Sequence, residues 1–195
     1  MIKVVIFFKR LPGMPLEAFQ EHWRTRHAAL IVRLPGLRRY VQNYPIEDDP
    51  VFDAVAESSF DDTQAMKDLA RTPAYAAVLA DEPKFIDRAS MGSIITEERV
   101  LKDGSPPPGA VKRLAFVKRD GGTPVEDFFR RWREDGEQLA RDAAVRRYAQ
   151  CCCRRAIYDS GRTPAYDGVA MAWLERGAAA PPGVAGLAVT ERVVL

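Results

Sequence analysis

The chain has 195 residues, 47% of them hydrophobic, with 29 lysines and arginines against 27 aspartates and glutamates. That length and apolar share suffice for one large domain or for two of about 100 residues each. A formal net charge of +2, with the arginines dispersed among carboxylates, gives no basis for a nucleic-acid partner.

Ile2 to Phe8 is β-branched and aromatic and reads as a strand closed by the turn Leu11-Pro12-Gly13. Its apolar run is too short for a signal-peptide core or a membrane span, so a cytoplasmic protein without a membrane partner is expected. Pro15 suits the first turn of a helix over Leu16 to Leu34. Leu16, Phe19, Trp23, Leu30, Ile31 and Leu34 recur on it at helical spacing, and His27 shares their inward stripe, one turn from Trp23. His22 falls at the stripe's edge. These are the only two histidines in the chain. A histidine on such a face is either a hydrogen-bonded core residue or a functional one.

Pro35-Gly36 ends the helix, and Leu37 to Tyr44 reads as a second strand. Phe52 to Phe60 is a third strand, and Asp61 or Asp62 caps a helix through Leu69 that Thr72-Pro73 breaks. Ala74 to Ala80 is helical again, leading to Asp81, and Ile94 to Leu101 is the fourth strand. The order strand-helix-strand-strand-helix-strand is the ferredoxin-like split βαβ arrangement, an α+β class. Residues 102–110 form a proline- and glycine-rich linker between a first repeat over 1–101 and a second over 111–195.

The second repeat restates the first. Lys9-Arg10, Pro15, Phe19, Trp23 and Leu30 return as Lys118-Arg119, Pro124, Phe128, Trp132 and Leu139 at an offset of 109. After a one-residue deletion, Arg38-Arg39-Tyr40 returns as Arg146-Arg147-Tyr148, and Thr96-Glu97 with Val100-Leu101 as Thr190-Glu191 with Val194-Leu195. Phe52-Asp53 returns as Tyr166-Asp167. His22 and His27 become Arg131 and Gly136 at the first offset, and the stretch Gly177 to Gly186 reads as a loop where the first repeat has its second helix region. The pattern suggests one working half and one structural half.

Cys151-Cys152-Cys153 alternates across a strand and cannot converge on one metal, so these thiols read as small reduced hydrophobes. His22 and His27, five apart, lie about 140° around an ideal α-helix and do not form the i, i+4 pair of a zinc helix. No metal site and no nucleotide-cofactor motif is legible.

The run Phe8-Lys9-Arg10, Phe19, His22-Trp23, His27-Ala28, Tyr40-Val41-Gln42-Asn43 and Phe52 to Glu57 resembles the EthD family, named for ethyl tert-butyl ether degradation. Asp81-Glu82 followed by Phe85-Ile86-Asp87 fits the same pattern. The resemblance covers Ile2 to Leu101 well and Val111 to Leu195 weakly. It implies the dimeric α+β barrel, here as a pseudo-dimer within one chain, with further homo-oligomerisation left open. It also implies a small-molecule ligand and cofactor-independent acid/base chemistry of lyase, cyclase or isomerase type on an aromatic or polyketide-like compound. The alternatives are a haem-binding or oxygen-using protein related to monooxygenases, and a non-catalytic binding protein. The expected catalytic residues are His27 and His22, with His27 carrying the function, and Trp23, Tyr40, Asp53, Tyr75, Asp81 and Phe85 are the expected substrate contacts. Asp53, Glu57 and Asp81 are the carboxylates that could orient the base.

Overall fold

The structure is a computed structural model that describes residues 1–181 and 183–195. In chain order its elements are β1 (Ile2–Arg10), α1 (Leu16–His22), a π-helical turn (Trp23–His27), α2 (Ala28–Ile31), β2 (Leu37–Pro45) and β3 (Ala54–Phe60). There follow α3 (Thr63–Asp68), a 3-10 turn (Leu69–Arg71), α4 (Pro73–Asp81), a second 3-10 turn (Glu82–Lys84) and β4 (Ile86–Lys102). The remainder is β5 (Val111–Val117), α5 (Val125–Leu139), β6 (Val145–Cys153), α6 (Arg155–Asp159), β7 (Gly168–Leu174) and β8 (Leu187–Val193). The fold is α+β, with ferredoxin-like strand and helix order in the first repeat and a related order in the second.

The chain divides into two compact units, one of Met1–Tyr44, Pro50–Ser93 and Glu191–Leu195, the other of Pro45–Asp49 and Ile94–Thr190. In the first, β3 is the middle strand, antiparallel to β1 from Ile2↔Phe60 to Phe8↔Ala54 and to β2 from Leu37↔Phe60 to Asn43↔Val55. Every residue of β3 is buried. The N–H of Lys9 on β1 donates to Ser90 Oγ of β4 at 2.8 Å. The open edge of β2 is occupied by residues 194–195: Tyr40 N–H donates to Leu195 O at 3.0 Å, and Val194 N–H donates to Tyr40 O at 2.9 Å. Covering the edge satisfies backbone groups that would otherwise invite another chain. The core behind the sheet is aromatic, with Phe8 edge-on to Phe19, Trp23 and Phe85.

In the second unit the strands run β8-β5-β7-β6, with Thr96–Lys102 of β4 added along β6. β7 is wholly buried. Cys151 and Cys153 are buried and Cys152 is half-buried, all three as free thiols. Burial pushes the Cys152 thiol up to about 11, away from the thiolate that redox or nucleophilic work requires.

Several sequence expectations are corrected. The break at Thr72-Pro73 falls where expected, but α4 starts at Pro73 itself, one residue early, because Thr72 caps it, its Oγ1 accepting from the N–H of Tyr75 at 3.2 Å. β4 starts at Ile86, not Ile94, since residues 86–93 continue the extended chain. α6 was not foreseen. Leu16, assigned to the inward stripe, is exposed at the start of α1. Between β7 and β8 no helix occurs among the described residues; Pro182, within that expected loop, lies outside them.

The largest correction concerns the repeat. The N-caps Pro15 and Pro124 have matching backbone angles. At the other end, Val32 N–H donates to Ala28 O in the first unit and Ala140 N–H donates to Gly136 O in the second. Val32 follows Pro15 by 17 positions, but Ala140 follows Pro124 by 16, so the deleted residue lies inside the helix. Gly136 therefore corresponds to Ala28, and the π turn is the added residue. A Cβ on Gly136 would stand 2.4 Å from Gln150 Nε2 and 2.8 Å from Leu101 Cδ1. Packing against Gln150, not the loss of a histidine, explains this glycine.

Candidate active site

The site is assembled by the π turn. One residue inserted into the helical ladder makes Ala28 N–H span five residues to Trp23 O. With an added residue in the turn each residue winds less about the axis, so positions five apart, set about 140° apart by a regular helix, come to one face. His22 Nε2 and His27 Nδ1 then both lie on Asp81 Oδ2, at 3.0 and 3.1 Å. The expectation that His22 sits apart at the stripe's edge is overturned for this reason. Both rings also meet Phe85: His22 is stacked on it at 4.6 Å and His27 tilted against it at 4.9 Å. π turns are rare and recur at functional sites.

Asp81 ends α4, where the helix delivers it beneath the two imidazoles. Its other oxygen, Oδ1, accepts from Lys84 Nζ at 3.2 Å. Burial raises the carboxyl, but hydrogen bonds from His22, His27 and Lys84 outweigh it and leave Asp81 below its ordinary value. An ionised carboxylate only accepts, so both facing ring nitrogens donate. In the neutral rings the accepting lone pairs are consequently on His27 Nε2 and His22 Nδ1. His27 is buried, and that desolvation pushes its pKa below 6.5 against the pull of Asp81. It stays neutral at pH 7. Its side chain is 6% exposed and that of His22 13%, so His22 is the more accessible ring of the pair.

The remaining expected residues are distributed around this centre. Trp23 and Tyr40 are fully enclosed, Trp23 Nε1 donating to Tyr40 Oη at 3.1 Å, and they support the helix from below rather than offering surface. Tyr75 is half-buried in the first turn of α4. Asp53 accepts from Arg10 N–H at 2.9 Å and pairs with its guanidinium, and Asp167 takes Arg119 N–H identically in the second unit. Such repetition marks a shared structural bond. Glu57 is buried with Lys3 and Asn43. Of the three carboxylates, Asp81 is the one that reaches the histidines.

Sequence reasoning missed Lys84, Gln42, Tyr44 and Arg192. Gln42 Nε2 donates to Trp23 O at 2.8 Å, and its Oε1 accepts from Tyr44 Oη at 2.7 Å and Arg192 Nη1 at 3.0 Å. The recurrence of Gln42 as Gln150 was a legible signal. Among the described residues no group of three or more His, Cys, Asp or Glu is arranged to hold a metal ion, and no helix is long and apolar enough to cross a membrane.

Comparison with known proteins adds the following. Residues 11–89 match the EthD domain family, and no curated protein matches the chain. An EthD family protein from Bacillus halodurans C-125 is 26% identical across 51% of this chain and 99% of its own, with a TM-score of 0.45. An anthrone oxidase-like protein is 10% identical across 99% of this chain and 92% of its own, with a TM-score of 0.64. A putative monooxygenase from Fusobacterium nucleatum is 12% identical across 88% and 74%, with a TM-score of 0.54. The last two establish likeness of fold alone. Residues 11–89 of the chain are thus similar to the EthD domain, and they contain His22, His27, Asp81 and Phe85.

Proposed function

We propose that the protein is a small-molecule enzyme whose chemistry is proton transfer by the His22–His27–Asp81 centre, with no cofactor required for that step. The observation that carries this reading is the convergence of both imidazoles on one buried carboxylate oxygen. His27, held neutral by burial, is the base, and Asp81 fixes its tautomer and stabilises the imidazolium formed when Nε2 takes a proton. General-base catalysis of this kind typically contributes about 10²- to 10⁴-fold.

The substrate class we assign is a carbon acid activated by an aromatic or polyketide-like carbonyl. Phe85, itself fully buried, packs against both imidazoles and fixes their orientation toward such a substrate. Removing a proton next to such a carbonyl leaves a stabilised enolate, from which elimination, cyclisation or isomerisation follows. The anthrone oxidase-like neighbour favours a second outcome for the same anion, reaction with dioxygen.

Hydrogen–deuterium exchange at the activated carbon of anthrone-type ketones, followed by NMR, tests the step without knowledge of the final product. The wild type should accelerate exchange, and His27→Gln should lower that acceleration by about 100-fold or more, with the variant still folded. Equal exchange by the two proteins would reject the base. Oxygen uptake in the same samples separates the two fates of the anion.

A further inference from the structure

The π turn that brings His22 and His27 together needs an explanation, because a regular helix is the default for the same sequence pattern. The second unit shows that default. There Trp132 returns for Trp23 and Gln150 for Gln42, and Gln150 Nε2 again donates to the tryptophan carbonyl, at 2.6 Å. Yet α5 runs without a π turn from Val125 to Leu139. The tryptophan–glutamine contact alone does not produce the turn.

The units differ in what holds the glutamine. In the first, Gln42 Oε1 accepts from Tyr44 Oη and Arg192 Nη1. Arg192 also donates to the carbonyl of Arg24, inside the π turn, at 3.1 Å. Two consecutive carbonyls, of Trp23 and Arg24, thus receive donors from outside the helix. Side-chain donors entering the i→i−4 ladder are an established cause of local unwinding. In the second unit the position of Tyr44 is Cys152 and that of Arg192 is Glu98, in register with Cys151. An ionised glutamate cannot donate to a carbonyl. Among the described residues Gln150 Oε1 is buried without a hydrogen-bond partner.

We propose that Arg192, acting directly on Arg24 O and with Tyr44 through Gln42, is a positioning residue that holds the π turn and so places His22 and His27 together on Asp81. The assignment of a catalytic purpose rests on the acid/base reading above; the positioning itself does not. Arg192 bonds to the turn's backbone and to Gln42, and its effect on the chemistry is transmitted through the helix. Burial keeps the Tyr44 phenol protonated, its pKa pushed up to about 12, so it remains a donor to Gln42.

The test is NMR of the ring nitrogens in the full-length protein labelled at histidine, which requires no substrate. In the wild type, His27 Nδ1 should show a hydrogen-bonded proton and His27 should titrate below 6.5. Arg192→Met, and Arg192→Glu, which copies the second unit, should lose the Nδ1 signature. They should also shift the His27 midpoint away from its wild-type value, because both its burial and its bond to Asp81 depend on the turn. Arg192→Lys, which keeps a donor, should restore the wild-type signals at least in part. Tyr44→Phe, which removes one hydroxyl, gives a smaller shift in the same direction and serves if Arg192→Met does not fold. Histidine signals unchanged in folded Arg192→Met and Tyr44→Phe, or a Lys variant no closer to wild type than Met, would overturn the proposal. Failure of His27→Gln to alter proton exchange would reject the acid/base reading while leaving these signals as expected.

Discussion

At the scale of single residues, the centre is defined by the opposed effects on His27. Burial is the larger and lowers its affinity for a proton, while Asp81 partly restores it. A histidine whose folded pKa lies below its unfolded value costs stability as pH falls, since the unfolded chain takes up the proton first. Asp81 is also depressed below 3.8 and, like other paired carboxylates, loses its contribution only in stronger acid. Denaturant melts at a series of pH values should therefore show stability at its plateau above about 7 and declining below 6.5 as His27 is outcompeted. A second decline should follow below 3.8. In His27→Gln the first decline should shrink and the second remain. An undiminished first decline in that variant would place its origin elsewhere.

Among elements, the helix carrying the histidines was legible in outline and misread in detail. Its apolar stripe, Phe19, Trp23, Ile31 and Leu34, is buried as the spacing predicts. A periodicity argument assumes one pitch throughout, however, so it set His22 at the edge and His27 inward. The inserted residue alters the pitch, and its cause lies in Gln42 and Arg192, far along the chain. The deletion between the repeats was visible in sequence, but Leu139 matches Leu30 on one side of it and Ile31 on the other. Only the helix caps place it. The same reasoning gives a prediction at this scale: Gly136→His will not recreate the site. Its Cβ meets Gln150 and Leu101, and the change should destabilise the chain by about 1–3 kcal/mol through overpacking. Thermal or denaturant unfolding measures this, and a neutral or stabilising effect would contradict the packing account.

For the whole molecule, strand order and class were readable from alternation, turns and the repeat, because those signals are local. What local pattern could not show is that residues 191–195 belong with the first unit and residues 45–49 with the second. A cut in the linker therefore does not yield two intact pieces. Fragment 1–101 loses the backbone bonds that Val194 and Leu195 make to Tyr40, exposing the edge of β2. We expect it to self-associate or precipitate, as unprotected edges do, when examined by analytical ultracentrifugation beside the intact chain. A soluble, folded monomer of 1–101 would contradict this.

The bond from Arg192 to Gln42 closes a loop of 150 residues, and that separation has a meaning during synthesis. At about 5–20 residues per second, the ribosome reaches Arg192 roughly 8–30 s after Gln42. For the later part of that interval, once Phe85 has been made, the aromatic core of the first unit can form, but the clamp on the π turn cannot. An emerging chain would carry its two histidines on an unclamped helix, and the site would mature late, as a property of the nearly complete polypeptide rather than of the segment that contains its chemistry.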